Sequence, residues 1–160
     1  MAVPDHKSPN LQDHETSFSD DQLRQFLGYQ LKRTFNAMRA DLSRVLEPYD
    51  LRMTTYSALV LIADNPGIRQ SELANILSME RPNMVLVLDD LEQRGWITRE
   101  RLETDRRAYA LKVTLSGKRV CDKAKIDNLK VEQHRLDLLD AGEKRALLSA
   151  LAKLERGPGG

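Results

Sequence analysis

Residues 70–113 read QSELANILSMERPNMVLVLDDLEQRGWITRERLETDRRAYALKV, and this stretch decides the fold. From Gln70 to Leu77, Leu73, Ala74 and Leu77 share one helical face, and Ser78-Met79-Glu80 forms a tight turn. Pro82 suits the first turn of a second helix, where its missing N–H costs nothing. That helix runs to Arg94, and Gly95 is its natural C′ residue. Trp96, Ile97 and Thr98 begin a β pattern, which Tyr109-Ala110-Leu111-Lys112-Val113 resumes after a charged turn through Glu103-Thr104-Asp105-Arg106. Two helices joined by a tight turn and followed by a hairpin with a basic tip make a winged helix-turn-helix.

Outward from this stretch the chain reads as helix. Residues 1–18 are polar, with Pro4 and Pro9, and are expected to be a mobile arm. Ser19 and Gln22 fit a capping box. Leu23, Leu27, Leu31, Phe35, Met38, Leu42 and Val45 then form one apolar stripe on a long helix ending before Pro48. A stripe that long needs a long surface to pack against, and a second copy of the chain is the obvious candidate. Thr54 or Thr55 can cap the next helix, which Asn65-Pro66-Gly67 stops. After Thr114 the pattern is helical to about Leu139, and Asp140 with Glu143 caps a last helix through Leu147, Leu151 and Leu154. The expected fold is mainly α with a small β-hairpin wing. A single domain over 19–156 would hold the winged helix-turn-helix at about 54–114 between helical dimerisation regions at about 19–47 and 116–156. Residues 157–160 would fray.

Composition removes several classes of function. A hydrophobic fraction of 41% with 31% charged residues is that of a globular protein. No run approaches the roughly 20 apolar residues of a membrane span. Residues 1–18 lack the apolar core of a secretory signal, so a cytoplasmic location and no membrane partner are expected. Cys121 is the single cysteine, which excludes an internal disulfide. His6, His14, His134 and Cys121 include no pair at structural-zinc spacing, so no metal is expected. No Gly-rich phosphate loop and no nucleophile–base spacing stands out, and neither a cofactor nor catalysis is expected.

The net charge of +1 says little, but its distribution is uneven. Between Arg94 and Arg107 stand Arg94, Arg99, Arg101, Arg106 and Arg107 against Glu100, Glu103 and Asp105. Such a patch beside a helix-turn-helix points to double-stranded DNA. The second helix presents Arg81, Pro82 and Asn83 first: Arg81 suits guanine O6 and N7, and Asn83 adenine N6 and N7. Arg81 has a second reading, as a phosphate contact or solvated cap. Met84, Leu88 and Leu91 must face the core. Leu86 falls opposite, where a thymine methyl could meet it. Arg69 and Ser71 are placed for phosphate contact. Arg106 and Arg107 suit a minor groove, with Asp105 holding one arginine extended and Arg101 nearby. A winged helix used only for protein contacts is the alternative, and the arginine-rich wing argues against it.

The runs Gln70-Ser71-Glu72-Leu73-Ala74, Leu88 to Arg99, Asp105-Arg106-Arg107-Ala108 and Leu111-Lys112-Val113-Thr114-Leu115-Ser116-Gly117 resemble the MarR (multiple antibiotic resistance regulator) family over roughly Leu23 to Leu154. The resemblance implies a homodimer on a pseudo-palindromic operator, with recognition from about Arg81 and minor-groove contact at Arg106 or Arg107. It further implies repression relieved by a small effector, an aromatic or phenolic carboxylate or its coenzyme A thioester. Effectors in the family lie between the first, second and dimer helices, which nominates Tyr29, Arg33, Asn36, Arg39 and Tyr56. A cation beside aromatic rings suits an aromatic anion, although Arg33 and Arg39 have a plain reading as solvated residues. Members often carry a polar or basic residue near Leu86, whereas Met84 to Leu88 is wholly apolar here. Redox-sensing members hold a cysteine in the first helix; this chain has none there.

Overall fold

The computed structural model describes residues 19–102 and 105–157, the side chains of residues 102–108 excepted. The arm expected over residues 1–18, residues 158–160, and Glu103 and Thr104 of the hairpin turn lie outside the described residues. In chain order the elements are α1 (Asp21–Arg24), α2 (Leu27–Leu46), a 3-10 turn (Glu47–Tyr49), α3 (Met53–Asp64), β1 (Ile68–Arg69), α4 (Gln70–Ile76), α5 (Arg81–Gln93), β2 (Ile97–Leu102), β3 (Asp105–Val113), α6 (Leu115–Leu136) and α7 (Ala141–Arg156). The fold is mainly α with a small antiparallel sheet in the order β1-β3-β2, a winged helix-turn-helix as the sequence predicts. The chain divides into two compact units at Phe35/Asn36, within the span of α2.

In the first unit, the single helix expected from a Ser19 capping box is instead two. α1 stops at Arg24 and α2 begins at Leu27. Ser19 Oγ accepts from the Asp21 N–H at 3.1 Å, and Asp20 is the residue that flanks α1. The Asp20 carboxylate accepts from Arg24 Nε at 2.6 Å, the Tyr29 hydroxyl at 2.7 Å and Arg33 Nη1 at 2.8 Å. Donors on both sides of the break thus converge on one group, and Gly28 in the first turn of α2 weakens helical continuity.

In the second unit α5 is the keystone. Met84, Leu88 and Leu91 have no exposed area and pack with Ala58, Leu59 and Ile62 of α3, Leu73 and Ala74 of α4, and Ile97 and Leu111 of the sheet. Full burial stabilises each such leucine by roughly 1.5–3 kcal/mol. A second cluster joins Leu46, Leu51, Tyr56 and Ala124, and Trp96 packs against both. α3 is not capped by Thr54 or Thr55. Asp50 takes a left-handed φ of 51° and Arg52 is extended, so the helix begins at Met53 and both threonines lie inside it. β1 carries no sequence signal; its two residues pair with Leu111 and Ala110 of β3. β2 and β3 pair from Ile97–Val113 to Leu102–Asp105, with an irregularity at Arg101/Leu102. Asp105 and Arg106 therefore have strand backbone, where the sequence suggested a turn.

The exit from the wing shows what Thr114 and Gly117 are for. The Thr114 N–H donates to Trp96 O at 2.9 Å, and its hydroxyl donates to Gly95 O at 2.7 Å and accepts the Gly117 N–H at 3.0 Å. One threonine thus caps α6 and closes the hairpin onto the end of α5. A Cβ on Gly117 would stand 2.1 Å from Trp96 O, which is backbone and has little room to yield. Gly117→Ala should therefore cost about 3 kcal/mol, as overpacking at a rigid site does. Urea unfolding followed by Trp96 fluorescence measures it, and an unchanged midpoint would show that α6 can slide away without loss.

Candidate nucleic-acid interface

Three elements of the second unit carry the residues nominated for DNA. Arg69 flanks α4, where its backbone N–H donates to Glu72 Oε2 at 2.8 Å; its side chain and Ser71 are exposed. The turn into α5 uses a left-handed Ser78, φ 49°. Arg81, Pro82 and Asn83 then form the first turn of α5, all exposed. With Met84, Leu88 and Leu91 inward, Leu86 lies on the outward face at 68% exposure, one turn beyond Pro82. In the wing, Arg101 is exposed on β2 and pairs with Tyr109 of β3. Asp105, Arg106 and Arg107 have their backbone in β3, and their side chains lie outside the described residues.

The second half of α5 carries Asp89, Asp90 and Glu92, which alone would repel phosphates. Each has an arginine. Arg99 of β2, only 18% exposed, pairs with Asp89 and lies 3.2 Å from Glu92 Oε2. The Glu92 contact is an ion pair without an aligned hydrogen bond from Nε. Arg94 donates to Asp90 at 2.8 Å and to Asp50 at 3.0 Å, with its guanidinium 5.1 Å from the Trp96 ring centre. The acidic end of the helix is thereby neutralised, leaving the Arg81 end electropositive at a helix N-terminus. The Asp90–Arg94 pair is legible as an i,i+4 spacing. Arg99 is the residue that sequence reading missed, because only the packing of β2 on α5 shows its partners.

The residues nominated for an effector are placed as follows. Tyr29 and Arg33 meet at Asp20, whose carboxyl is held below the usual carboxylate range by the Tyr29 hydroxyl first and Arg24 second. The charge of Arg33 is thus already engaged. Asn36 and Arg39 are exposed on α2. Tyr56 is buried and lines a cleft of about 280 Å³ between α3 and α6 with Ser57, Val60, Leu61, Lys125, Asn128 and Leu129. Burial pushes the Tyr56 hydroxyl pKa up, and Lys125 is paired with Asp64 at 3.2 Å. Cys121 is fully buried and burial raises its pKa, which makes it a packing residue and a poor nucleophile. Among the described residues no group of acidic, histidine and cysteine side chains is arranged to hold a metal, and no helix is long and apolar enough to cross a membrane.

This is the arrangement of a winged helix-turn-helix whose second helix keeps the face of Pro82 and Leu86 exposed. Residues 51–109 match the model of the MarR family. A candidate transcriptional regulatory protein for the hcr operon of Thauera aromatica is 30% identical over 131 residues, covering 81% of this chain and 79% of that protein. The transcriptional repressor CouR bound to a 23-mer DNA duplex is 35% identical, covers 88% of this chain and 99% of its own, and superposes with a TM-score of 0.82. CouR bound to p-coumaroyl-CoA gives 33%, 89%, 100% and 0.79. The chain belongs to the MarR family and is a transcriptional regulator.

Arg99→Ala should lower stability by about 1.5–3 kcal/mol, the range for hydrogen bonds to charged groups. It should also weaken binding to any duplex, most at low salt, because Asp89 and Glu92 are left uncompensated. Arg99→Lys should rescue little, since a point charge cannot bridge two carboxylates as a guanidinium does. Thermal melts and anisotropy titrations read the two effects; full rescue by lysine would show that charge alone matters.

Proposed function

We propose that this chain is a homodimeric repressor that binds a pseudo-palindromic operator and is released by a coenzyme A thioester of an aromatic acid. The observation that carries the DNA part is the first two turns of α5. They expose Arg81, Pro82, Asn83 and Leu86 while the opposite face is locked into the core. Arg81 and Asn83 read base edges, Pro82 and Leu86 line the groove, and Arg69 and Ser71 hold phosphates. Arg101, Arg106 and Arg107, with Asp105, serve the adjacent groove through the wing. Uncovered apolar side chains support the dimer: Leu27, Leu31 and Phe35 in the first unit, Leu147, Leu148, Leu151 and Leu154 in the second. Two-fold symmetry sets the recognition helices one DNA turn apart, roughly 34 Å.

The effector class rests on CouR, which is bound to p-coumaroyl-CoA in one of the similar structures. On this reading Tyr56 meets the aromatic acyl group, and Tyr29, Arg33, Asn36 and Arg39 are the further residues assigned to the effector. Arg33 serves only if Asp20 gives it up.

Fluorescence anisotropy against the DNA upstream of the chain's own gene, with a random duplex as control, tests the reading. Specific binding should fall steeply between 50 and 200 mM salt. Asn83→Ala should cost roughly 1–3 kcal/mol on the specific duplex and little on the random one. Adding p-coumaroyl-CoA should release the specific complex, while p-coumarate or coenzyme A alone should not. Salt-insensitive or equal binding to both duplexes would contradict a sequence-specific repressor.

A further inference from the structure

The outward face of α5 is unusual for a groove-reading helix in what it lacks. Arg81 and Asn83 supply polar atoms only in its first turn. Beyond them stand Val85 and Leu86, 38% and 68% exposed, before the neutralised acids begin at Asp89. A single exposed leucine is ordinary on a protein surface and by itself means nothing. Its position changes that: a helix seated by Arg81 and Asn83 brings Leu86, at the centre of the outward face, against a base edge.

Major-groove edges offer Leu86 few choices. Guanine presents two acceptors, adenine an acceptor and a donor, and cytosine a donor. Covering any of these with an isobutyl group strips water from a polar atom and returns no hydrogen bond. The one apolar feature of the groove is a pyrimidine 5-methyl group, which thymine carries and 5-methylcytosine carries at the same ring position.

We propose that Leu86, flanked by Val85, reads a pyrimidine 5-methyl group, so that this regulator selects operators by a methyl contact and responds to methylation of cytosine at that position. This rests on the reading of α5 as the DNA-recognition helix. The contact is apolar, so it is far less sensitive to salt than the arginine contacts around it. Leu86 belongs to the second unit together with the core that fixes it, so its aim is set by Met84 and Leu88 on either side.

The test begins with two selections by the full chain from random duplex pools, one made with thymidine and one with deoxyuridine throughout. The thymidine pool should yield a consensus with thymine at one fixed position per half-site, and the deoxyuridine pool should lose that position while keeping those read by Asn83. In the selected duplex, replacing that thymidine by deoxyuridine should weaken binding about fourfold, the equivalent of the ~0.8 kcal/mol of one buried methyl group. Placing 5-methylcytosine there should bind more tightly than cytosine by a similar factor. Leu86→Ala should abolish both differences, whereas Asn83→Ala should weaken binding to the selected duplex and leave both differences intact. A specific consensus indifferent to deoxyuridine overturns the methyl contact alone. Absence of any consensus from the thymidine pool overturns the DNA-reading helix and the methyl contact with it.

Discussion

The burial of Met84, Leu88 and Leu91 is the constraint on which the rest of this protein depends. Their spacing rolls α5 so that one face is wholly consumed by α3, α4 and the sheet. What remains is thereby dictated: Pro82 and Leu86 must look away, and Asn83 and Val85 must flank them. The same burial holds the C-terminal end of α5 near Gly95, from which the wing leaves. Thr114 then ties the returning strand to Gly95 and Trp96, so helix and wing descend from one fixed point. A helix less deeply set would blur both at once.

Charge finishes what packing starts. A helix with three carboxylates in its second half is a poor companion for DNA unless those charges are answered locally. Arg99 and Arg94 answer them from opposite sides, one from the wing strand and one from the helix itself. Arg94 reaches further, to Asp50 at the end of the 3-10 turn that follows α2, and its planar group lies over Trp96. The arginines in and beside the wing thus divide by task. Arg94 and Arg99 are consumed internally, while Arg101 is exposed. Net charge could not reveal this division, because each internal pair cancels in the sum.

The helix-turn-helix and hairpin were legible because their signals are local. Pro82 and Gly95 punctuate α5, a four-residue turn separates it from α4, and the apolar periods switch from helix to strand at Trp96. The Asp140–Glu143 capping box was equally plain, and Asp140 accepts from the N–H groups of Gly142 and Glu143 at 2.6 and 2.9 Å. What escaped was set through space. The break between α1 and α2 depends on donors reaching Asp20 from nine and thirteen residues away. β1 has only two residues and exists because β3 lies beside it. Arg99 finds Asp89 only once strand and helix are packed. Among the nominated effector residues, Tyr56 is 8% exposed, and the cleft it shares with Lys125 of α6 appears only once α3 and α6 are packed.

α7 carries the argument for a partner further than the stripe on α2 does. It has a well-formed cap and sixteen residues, yet none is buried. A lone helix of that length is marginal in water, because nucleation is costly and propensity alone returns little. Leu147, Leu148, Leu151 and Leu154 remain 42, 66, 39 and 53% exposed, on a helix whose capping box fixes where it starts. A sequence that specifies a helix so firmly and then leaves its apolar side chains in water is incomplete as a single chain. A second copy offering the same side chains would supply the missing surface by symmetry. On the proposed dimeric reading, the folded state of α7 and the spacing of the two recognition helices would be linked, since a change in the contact between copies would also change the distance between helices proposed to span one turn of DNA.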